Sequence, residues 1–353
     1  MENTPNTLVV LSPGFPKNEE DTTCLPAQQL FIRALNSRFP HLKIFILSFQ
    51  YPFNKSSYLW HGNRVISFGG EEKGKWARMR VWFGAWRTLR KIKKQADVLG
   101  LLSFWCTECA FIGKYFGKFH SLKNYIWILG QDARKDNRYV SLIRPKSQQL
   151  IAMSDFLVKE FFKNHGIKPA HIIPNGITLD EPNGTLNNRD IDILGVGSLI
   201  PLKQYDVFIE LIGKVRNNFP SLKVMICGKG PEERQLRSMV QKLGLQEVVQ
   251  LTGEKAHPEV LKIMKRSKVL LHTSQYEGFS TVCLEALHAG AQVVSFCKPM
   301  DEWVRHWWLA NTADEMQEML LDILRNPSTE YTPVLPYLME KSAAAVMNLF
   351  NYS

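Results

Sequence analysis

The sequence predicts an α/β protein built from two consecutive Rossmann-like units, each a parallel sheet wound with helices. Three observations predict this. Short apolar, β-rich runs alternate with stretches of helical spacing along the chain, and most of the runs end in loops bearing glycine or polar residues. At 353 residues the chain also exceeds what one compact core ordinarily holds, and the alternation starts afresh past residue 190.

The first strand is expected over 7–12 (Thr-Leu-Val-Val-Leu-Ser), running into Pro13-Gly14-Phe15-Pro16. A helix follows at about 26–37, with Leu30, Phe31, Ala34 and Leu35 at helical spacing, and a buried strand at 42–49. Gly14 sits where the first strand meets its helix, the side of such a sheet that takes ligands, although a glycine there also serves a plain turn. Further strands are expected over 96–103, 124–129 and 150–155. Gly130-Gln131-Asp132 closes the second of these, and Ser154 is placed to cap the helix after the third. Residues 172–177 read as a turn, and the boundary between domains is expected there. The domains are then 1–174 and 175–335, with a last helix near 336–353 packing back on the first.

Residues 73–94 hold nine basic side chains and no acid, with Trp76, Trp82, Phe83 and Trp86 interleaved. Two readings are open. A basic amphipathic segment can lie on an anionic membrane, or its aromatics can pack on the sheet while the basic face is solvated. Nucleic acid is not indicated, because no zinc-finger, RRM or KH signature accompanies the patch.

The second unit repeats the pattern. Strands are expected over 192–196, 222–227, 248–251, 269–274 and 291–296, each but the last followed by a helix, with 303–308 irregular and helices over 311–324 and near the end. The densest stretch is 276–290. Its loop carries Glu277, Ser280 or Thr281 can cap the helix that follows, Glu285 lies within that helix, and Gly290 ends it. Exposed amides at a helix start between two carboxylates suit a polyhydroxylated, phosphorylated ligand.

The totals bound the class. The first residues lack a basic region followed by an apolar core, and no apolar run approaches the roughly 20 residues that span a bilayer, so a cytoplasmic protein is expected, at most peripheral on the inner face of a membrane. Six dispersed cysteines read as reduced thiols, and Cys106-Thr107-Glu108-Cys109 stands alone, without further ligands at metal spacing. A formal charge of +11 asks for an anionic partner, and nucleic acid, membrane and phosphorylated substrate are the classes to weigh. His257, His272 and His288 lack metal spacing and read as satisfied structural histidines.

Five pieces in order resemble the GT-B glycosyltransferases, and more narrowly the retaining family-four type (glycosyl transferases group 1). They are Ile173-Pro174-Asn175-Gly176-Ile177; the run from Gly195 through Gly197, Ser198 and Pro201 to Lys203; Gly228-Lys229-Gly230-Pro231-Glu232; Glu277-Gly278-Phe279-Ser280; and Glu285-Ala286-Leu287 with Gly290. Glu277 and Glu285 form the E-x7-E spacing of that group. The resemblance implies two Rossmann-like domains facing across a cleft and transfer of a sugar from a nucleoside-diphosphate donor to an acceptor hydroxyl, with retention. The acceptor would be a glycan or lipid-linked, as in envelope polysaccharide assembly.

The same resemblance implies roles. Lys203 contacts the donor diphosphate beside Gly197 and Ser198. Amides of Gly278 and Phe279 hold the sugar, and Ser280, Thr281 and Val282 approach the phosphates. Glu285 bonds the ribose hydroxyls, and Glu277 orients the sugar or offsets positive charge at the anomeric carbon. The base is expected near 252–255. No metal or other cofactor is implied, since cations and amides of the protein neutralise the phosphates. The sequence departs from the group in three places: Ser198 stands where an arginine is common, the first domain lacks the usual histidine, and Lys298-Pro299-Met300 replaces a glycine pair. Lys229 or Lys255 could supply the missing cation, and Asp132 or Gln131 part of the histidine's work. The departures keep two alternatives open, a non-catalytic nucleotide-sugar-binding module and a sugar-nucleotide epimerase or hydrolase on the same fold.

Overall fold

The computed structural model describes residues 6–71, 74–178 and 188–352. Contacts divide the chain into two units, residues 1–178 with 337–353, and residues 179–336.

The first unit runs β1 (Asn6–Gly14), α1 (Pro26–Arg38), β2 (Lys43–Tyr51), β3 (Ser56–Trp60), β4 (Asn63–Ser67), α2 (Lys75–Gln95), β5 (Asp97–Phe104), α3 (Glu108–His120), β6 (Lys123–Ile128), α4 (Arg138–Ile143), β7 (Leu150–Ala152), α5 (Asp155–His165) and β8 (His171–Ile172). Its sheet has the order β3-β4-β2-β1-β5-β6-β7-β8, parallel except for the β3–β4 pair. Helices cover both faces, so β1 is apolar at consecutive positions, and Leu8, Val9, Val10 and Leu11 are all fully buried. One face takes Phe31 of α1 against Trp127 and Phe104; the other packs Val9, Leu11, Leu47 and Phe49 against α2 and α3. Ser154 caps α5 as expected, its hydroxyl accepting from the Leu157 amide at 3.1 Å.

The second unit runs β9 (Ile191–Val196), α6 (Tyr205–Arg216), β10 (Val224–Cys227), α7 (Glu233–Lys242), β11 (Val249–Gly253), α8 (His257–Lys265), β12 (Ser267–His272), α9 (Thr281–His288), β13 (Gln292–Ser295), β14 (Trp307–Leu309) and α10 (Ala313–Arg325). All strands are parallel in the order β11-β10-β9-β12-β13-β14, the Rossmann order in which the winding reverses between β9 and β12. The chain then returns to the first unit as α11 (Met339–Leu349), which packs against α1.

Several elements differ from the sequence expectation, and two of these differences lie at sheet edges. The hairpin β3–β4 extends the first sheet at an edge where no strand was expected. Residues 303–308, expected to be irregular, end in β14, which pairs with β13 while Trp307 Nε1 donates to Ser295 Oγ at 2.9 Å.

Both readings of the basic segment have a place on α2; Lys73 lies outside the described residues. Val81, Ala85, Leu89 and Ile92 form its buried stripe, with Trp82 and Trp86 half-buried against Phe111 and Phe116. Trp76, Met79 and Phe83, spaced three and four apart, form a second stripe that is 79%, 58% and 65% exposed. Among the described residues no helix is long and apolar enough to cross a membrane.

Candidate functional site

The carboxyl ends of β9 and β12 flank the point where the second sheet reverses its winding, and open α/β sheets bind ligands at such points. After β9 the chain passes Gly197 (φ 150°) and exposed Ser198, makes a 3-10 turn over Pro201–Lys203, and enters α6 through Gln204 in the left-handed region. After β12 come two buried hydroxyls. Thr273 Oγ1 donates to the carbonyls of Lys203 (2.8 Å) and Gln204 (2.9 Å), and Ser274 Oγ lies 3.0 Å from that of Leu202. These bonds tie the two strand-end loops together and fix where Lys203 points.

Lys203 Nζ donates to Glu277 Oε1. His272, the last residue of β12 and 5% exposed, places Nε2 3.2 Å from the same oxygen. The Glu277 side chain is only 13% exposed, and Lys203 is 22% exposed. Burial by itself would raise the Glu277 pKa. The His272 hydrogen bond and the Lys203 charge outweigh it, and the carboxyl is held at about 2. The side-chain bonds converge on Oε1.

The loops around this pair approach backbone to backbone. Gly197 N–H donates to Cys227 O (3.0 Å), Leu199 N–H to Lys229 O (3.0 Å), and Gly228 N–H to Gly253 O (2.9 Å). A Cβ on Gly228 would collide with the Gly197 carbonyl, and one on Gly230 with that of Leu199. Glycine is needed at both positions for this approach.

Helix α9 begins beyond Gly278 and Phe279, both buried. Ser280 occupies the N-cap position yet makes no side-chain cap bond, contrary to the expectation that Ser280 or Thr281 closes the helix start. Its hydroxyl instead lies 3.4 Å from His272 Nε2. The far end closes as expected. Gly290 has φ 79°, its N–H donates to Leu287 O, and Ala291 N–H donates to Ala286 O, a Schellman closure. Glu285 stands on α9 with Oε1 2.9 Å from Nε2 of His257 at the start of α8.

The structure thus brings Lys203, Glu277 and the start of α9 together, with Gly197, Ser198 and Glu285 on the surrounding loops and helix. Gly14 and Asp132 belong to the other unit. Gly14 ends β1 beside Tyr51, where a Cβ would make only ordinary contacts. Asp132 is 1% exposed, and its carboxylate accepts from the Leu129 amide at 2.8 Å in its own 3-10 turn. Burial raises its pKa to about 7, against the pull of that bond and of a second from the Cys106 backbone. Lys255 is paired with Glu259 at 2.6 Å, whereas Lys229 is exposed. Cys106 and Cys109 are free and buried, and among the described residues no three His, Cys, Asp or Glu side chains form a metal-binding group. A groove of about 580 Å³ lies beside α8, and Thr252 and Lys255 are among its lining residues.

Sequence reasoning did not foresee the contacts of His272 and His257, read there as satisfied structural histidines. Each contacts one glutamate of the E-x7-E pair, and His272 Nδ1 is buried without a partner. The one available signal was the position of His272 as the last residue of the strand preceding the motif.

Two domains of this construction define the GT-B class. Solved structures share the fold along nearly the whole chain. The lipopolysaccharide outer core galactosyltransferase WaaB aligns with a TM-score of 0.64 at 14% identity, covering 98% of this chain and 97% of that one. Anabaena Alr3699/HepE, solved with UDP and glucose, also gives 0.64, at 16% identity over 98% of this chain and 95% of that one. Residues 177–330 match the model of the family described as "Glycosyl transferases group 1", so the second unit carries that family's domain. Among curated relatives, the phosphatidylinositol N-acetylglucosaminyltransferase gpi3 subunit of Schizosaccharomyces pombe is 30% identical over 131 residues, 36% of this chain and 29% of the relative. A Campylobacter jejuni N-acetylgalactosaminyltransferase, whose name gives a diphospho-undecaprenol-linked substrate, is 28% identical over 161 residues, 44% of this chain and 43% of the relative. The chain thus spans less than half the length of either.

The Glu277 pKa makes a pH prediction with a definite sign. A carboxyl held at about 2, against an ordinary 4.5, adds stability that is fully present above pH 4.5 and is lost as pH falls toward 2. Glu277→Gln should therefore lower urea-unfolding stability at pH 7, by an amount on the order of 3 kcal/mol at most. The gap between the two proteins should narrow steadily between about pH 4.5 and 2; a gap that does not change with pH would remove the ionised pair from the account.

Proposed function

We propose that the protein is a retaining glycosyltransferase that moves a sugar from a nucleoside-diphosphate donor to an acceptor hydroxyl. The observation that carries this reading is the buried pair Lys203–Glu277 beside the uncapped start of α9. Such a pair offers one charge to each side of the bond that breaks. The lysine and the helix amides would take up negative charge on the leaving diphosphate. The carboxylate would face positive charge developing at the anomeric carbon. Glu285, steadied by His257, would bond the ribose hydroxyls, with Gly278 and Phe279 on the sugar and Thr281 and Val282 on phosphate. Retention is assigned to attack on the face from which the diphosphate departs, a departing phosphate oxygen taking the acceptor proton. No metal or other cofactor is required in this scheme, and Asp132 keeps a structural part.

A UDP donor is the first to test, because Alr3699/HepE was solved with UDP and glucose. A lipid-linked acceptor is favoured by the gpi3 and Campylobacter relatives, whose names give phosphatidylinositol and diphospho-undecaprenol. The exposed stripe Trp76, Met79 and Phe83, flanked by Arg80, Arg87, Arg90 and Lys91, suits an anionic membrane surface, with the apolar side chains at the interface. On this reading the protein is held peripherally at the inner face of a membrane.

Thermal unfolding with UDP, GDP, ADP and CMP tests the donor reading. One nucleoside diphosphate should raise the midpoint, since a ligand at 100 times its Kd stabilises by about 2.7 kcal/mol. Glu285→Ala should abolish that rise, whereas Glu277→Ala should leave most of it and slow sugar release. No shift with any of the four, and no release from common UDP- or GDP-sugars, would overturn the proposal.

Co-sedimentation with vesicles tests the membrane reading. The protein should pellet with vesicles containing phosphatidylglycerol and remain in solution with pure phosphatidylcholine. Replacing Trp76, Met79 and Phe83 together by serine should lower binding at least tenfold. Equal binding by the triple variant would reject this surface.

A further inference from the structure

Helix α9 has an unusual start. Serine is among the best N-cap residues because its oxygen accepts from the amides of the first turn, here those of Val282 or Cys283. Ser280 holds that position with an extended backbone (φ −88°, ψ 93°) yet makes no such bond. Its oxygen lies 3.4 Å from Nε2 of His272, which is also 3.2 Å from Glu277 Oε1, and the Cys283 thiol is its other side-chain partner. An acceptor carboxylate at that distance requires the proton on Nε2, and one N–H then faces both oxygens. His272 is 5% exposed and its Nδ1 is buried without a partner, so nothing else accounts for the imidazole.

We propose that His272 is a positioning residue of the nucleotide site: its Nε2–H holds the Ser280 hydroxyl away from the start of α9 and fixes Glu277 through Oε1. Two groups are thereby left toward a ligand, the amides of Thr281 and Val282 and Glu277 Oε2, while the Cys283 amide donates to the Ser280 carbonyl at 3.2 Å. A cap formed by Ser280 would occupy one of the amides that a phosphate needs. His272 makes no contact with the reacting atoms in this scheme. The inference rests on the proposed donor site for its purpose, but the competition between capping and the histidine belongs to the ligand-free protein.

The test uses that independence. His272→Phe keeps a buried ring and removes the donor, His272→Gln keeps an N–H near the position of Nε2, and Ser280→Ala removes the hydroxyl. In the free protein, amide exchange at Val282 should slow about fivefold in His272→Phe, as the released serine caps the helix. It should return to the wild-type rate in His272→Phe/Ser280→Ala. With UDP as the probe, or GDP if only that nucleotide stabilises the wild type, affinity should fall about fivefold in His272→Phe. It should recover at least half of that loss in the double variant, and stay within twofold of wild type in His272→Gln. Unchanged exchange in a folded His272→Phe, or a double variant no different from it, would overturn the inference. If exchange responds as stated but no nucleotide binds the wild type, the donor reading fails while the role of His272 in setting the helix start stands.

Discussion

The second unit depends on an ion pair taken out of water. Lys203 and Glu277 come from loops far apart in sequence, and each is mostly buried. Removing two charges from solvent costs several kcal/mol apiece, and mutual attraction repays this only with good geometry and further hydrogen bonds. The structure supplies those: His272 adds a second donor to Oε1, while Thr273 and Ser274 bind the carbonyls of Leu202, Lys203 and Gln204, so that the lysine's loop cannot drift. Removing one partner would strand the other. The pair thus acts as a fixed arrangement of charge.

Around it the backbone, more than side chains, sets the spacing. Gly228 and Gly230 lie so close to the carbonyls of Gly197 and Leu199 that a Cβ at either would force the strand-end loops apart. The hydrogen bonds between these loops then run from peptide to peptide. At the other flank, α9 is closed at its carboxyl end by Gly290 and left without a side-chain cap at its amino end. A helix left in that state carries its partial positive charge toward the site.

Much of this was legible in the sequence because the signals are local. Strand, glycine-bearing loop and helix recur, β9 to α9 follow in register, and E-x7-E spacing puts Glu277 in a loop and Glu285 on a helix. What was not legible is set by tertiary contact. β14 is three residues long with no periodicity of its own, and it exists because Trp307 and its neighbours meet β13. The β3–β4 hairpin is an edge pair whose partly exposed faces break the apolar run that marks the other strands. His272 ends an apolar run and reads as core, and only the fold brings Glu277 and Ser280 to its Nε2. The same holds for Asp132, a polar residue at a strand end whose burial and bonds to the Leu129 and Cys106 backbone only the fold reveals.

The central claim is that Lys203, Glu277 and the start of α9 hold the donor at the join of sugar and diphosphate. A crystal structure with the nucleotide that most stabilises the protein tests it most directly. The account predicts the diphosphate within hydrogen-bond distance of Lys203 Nζ and the Thr281 and Val282 amides, with the ribose hydroxyls on Glu285. A diphosphate bound away from α9, with the Lys203–Glu277 pair unchanged and no ligand beside it, would contradict it.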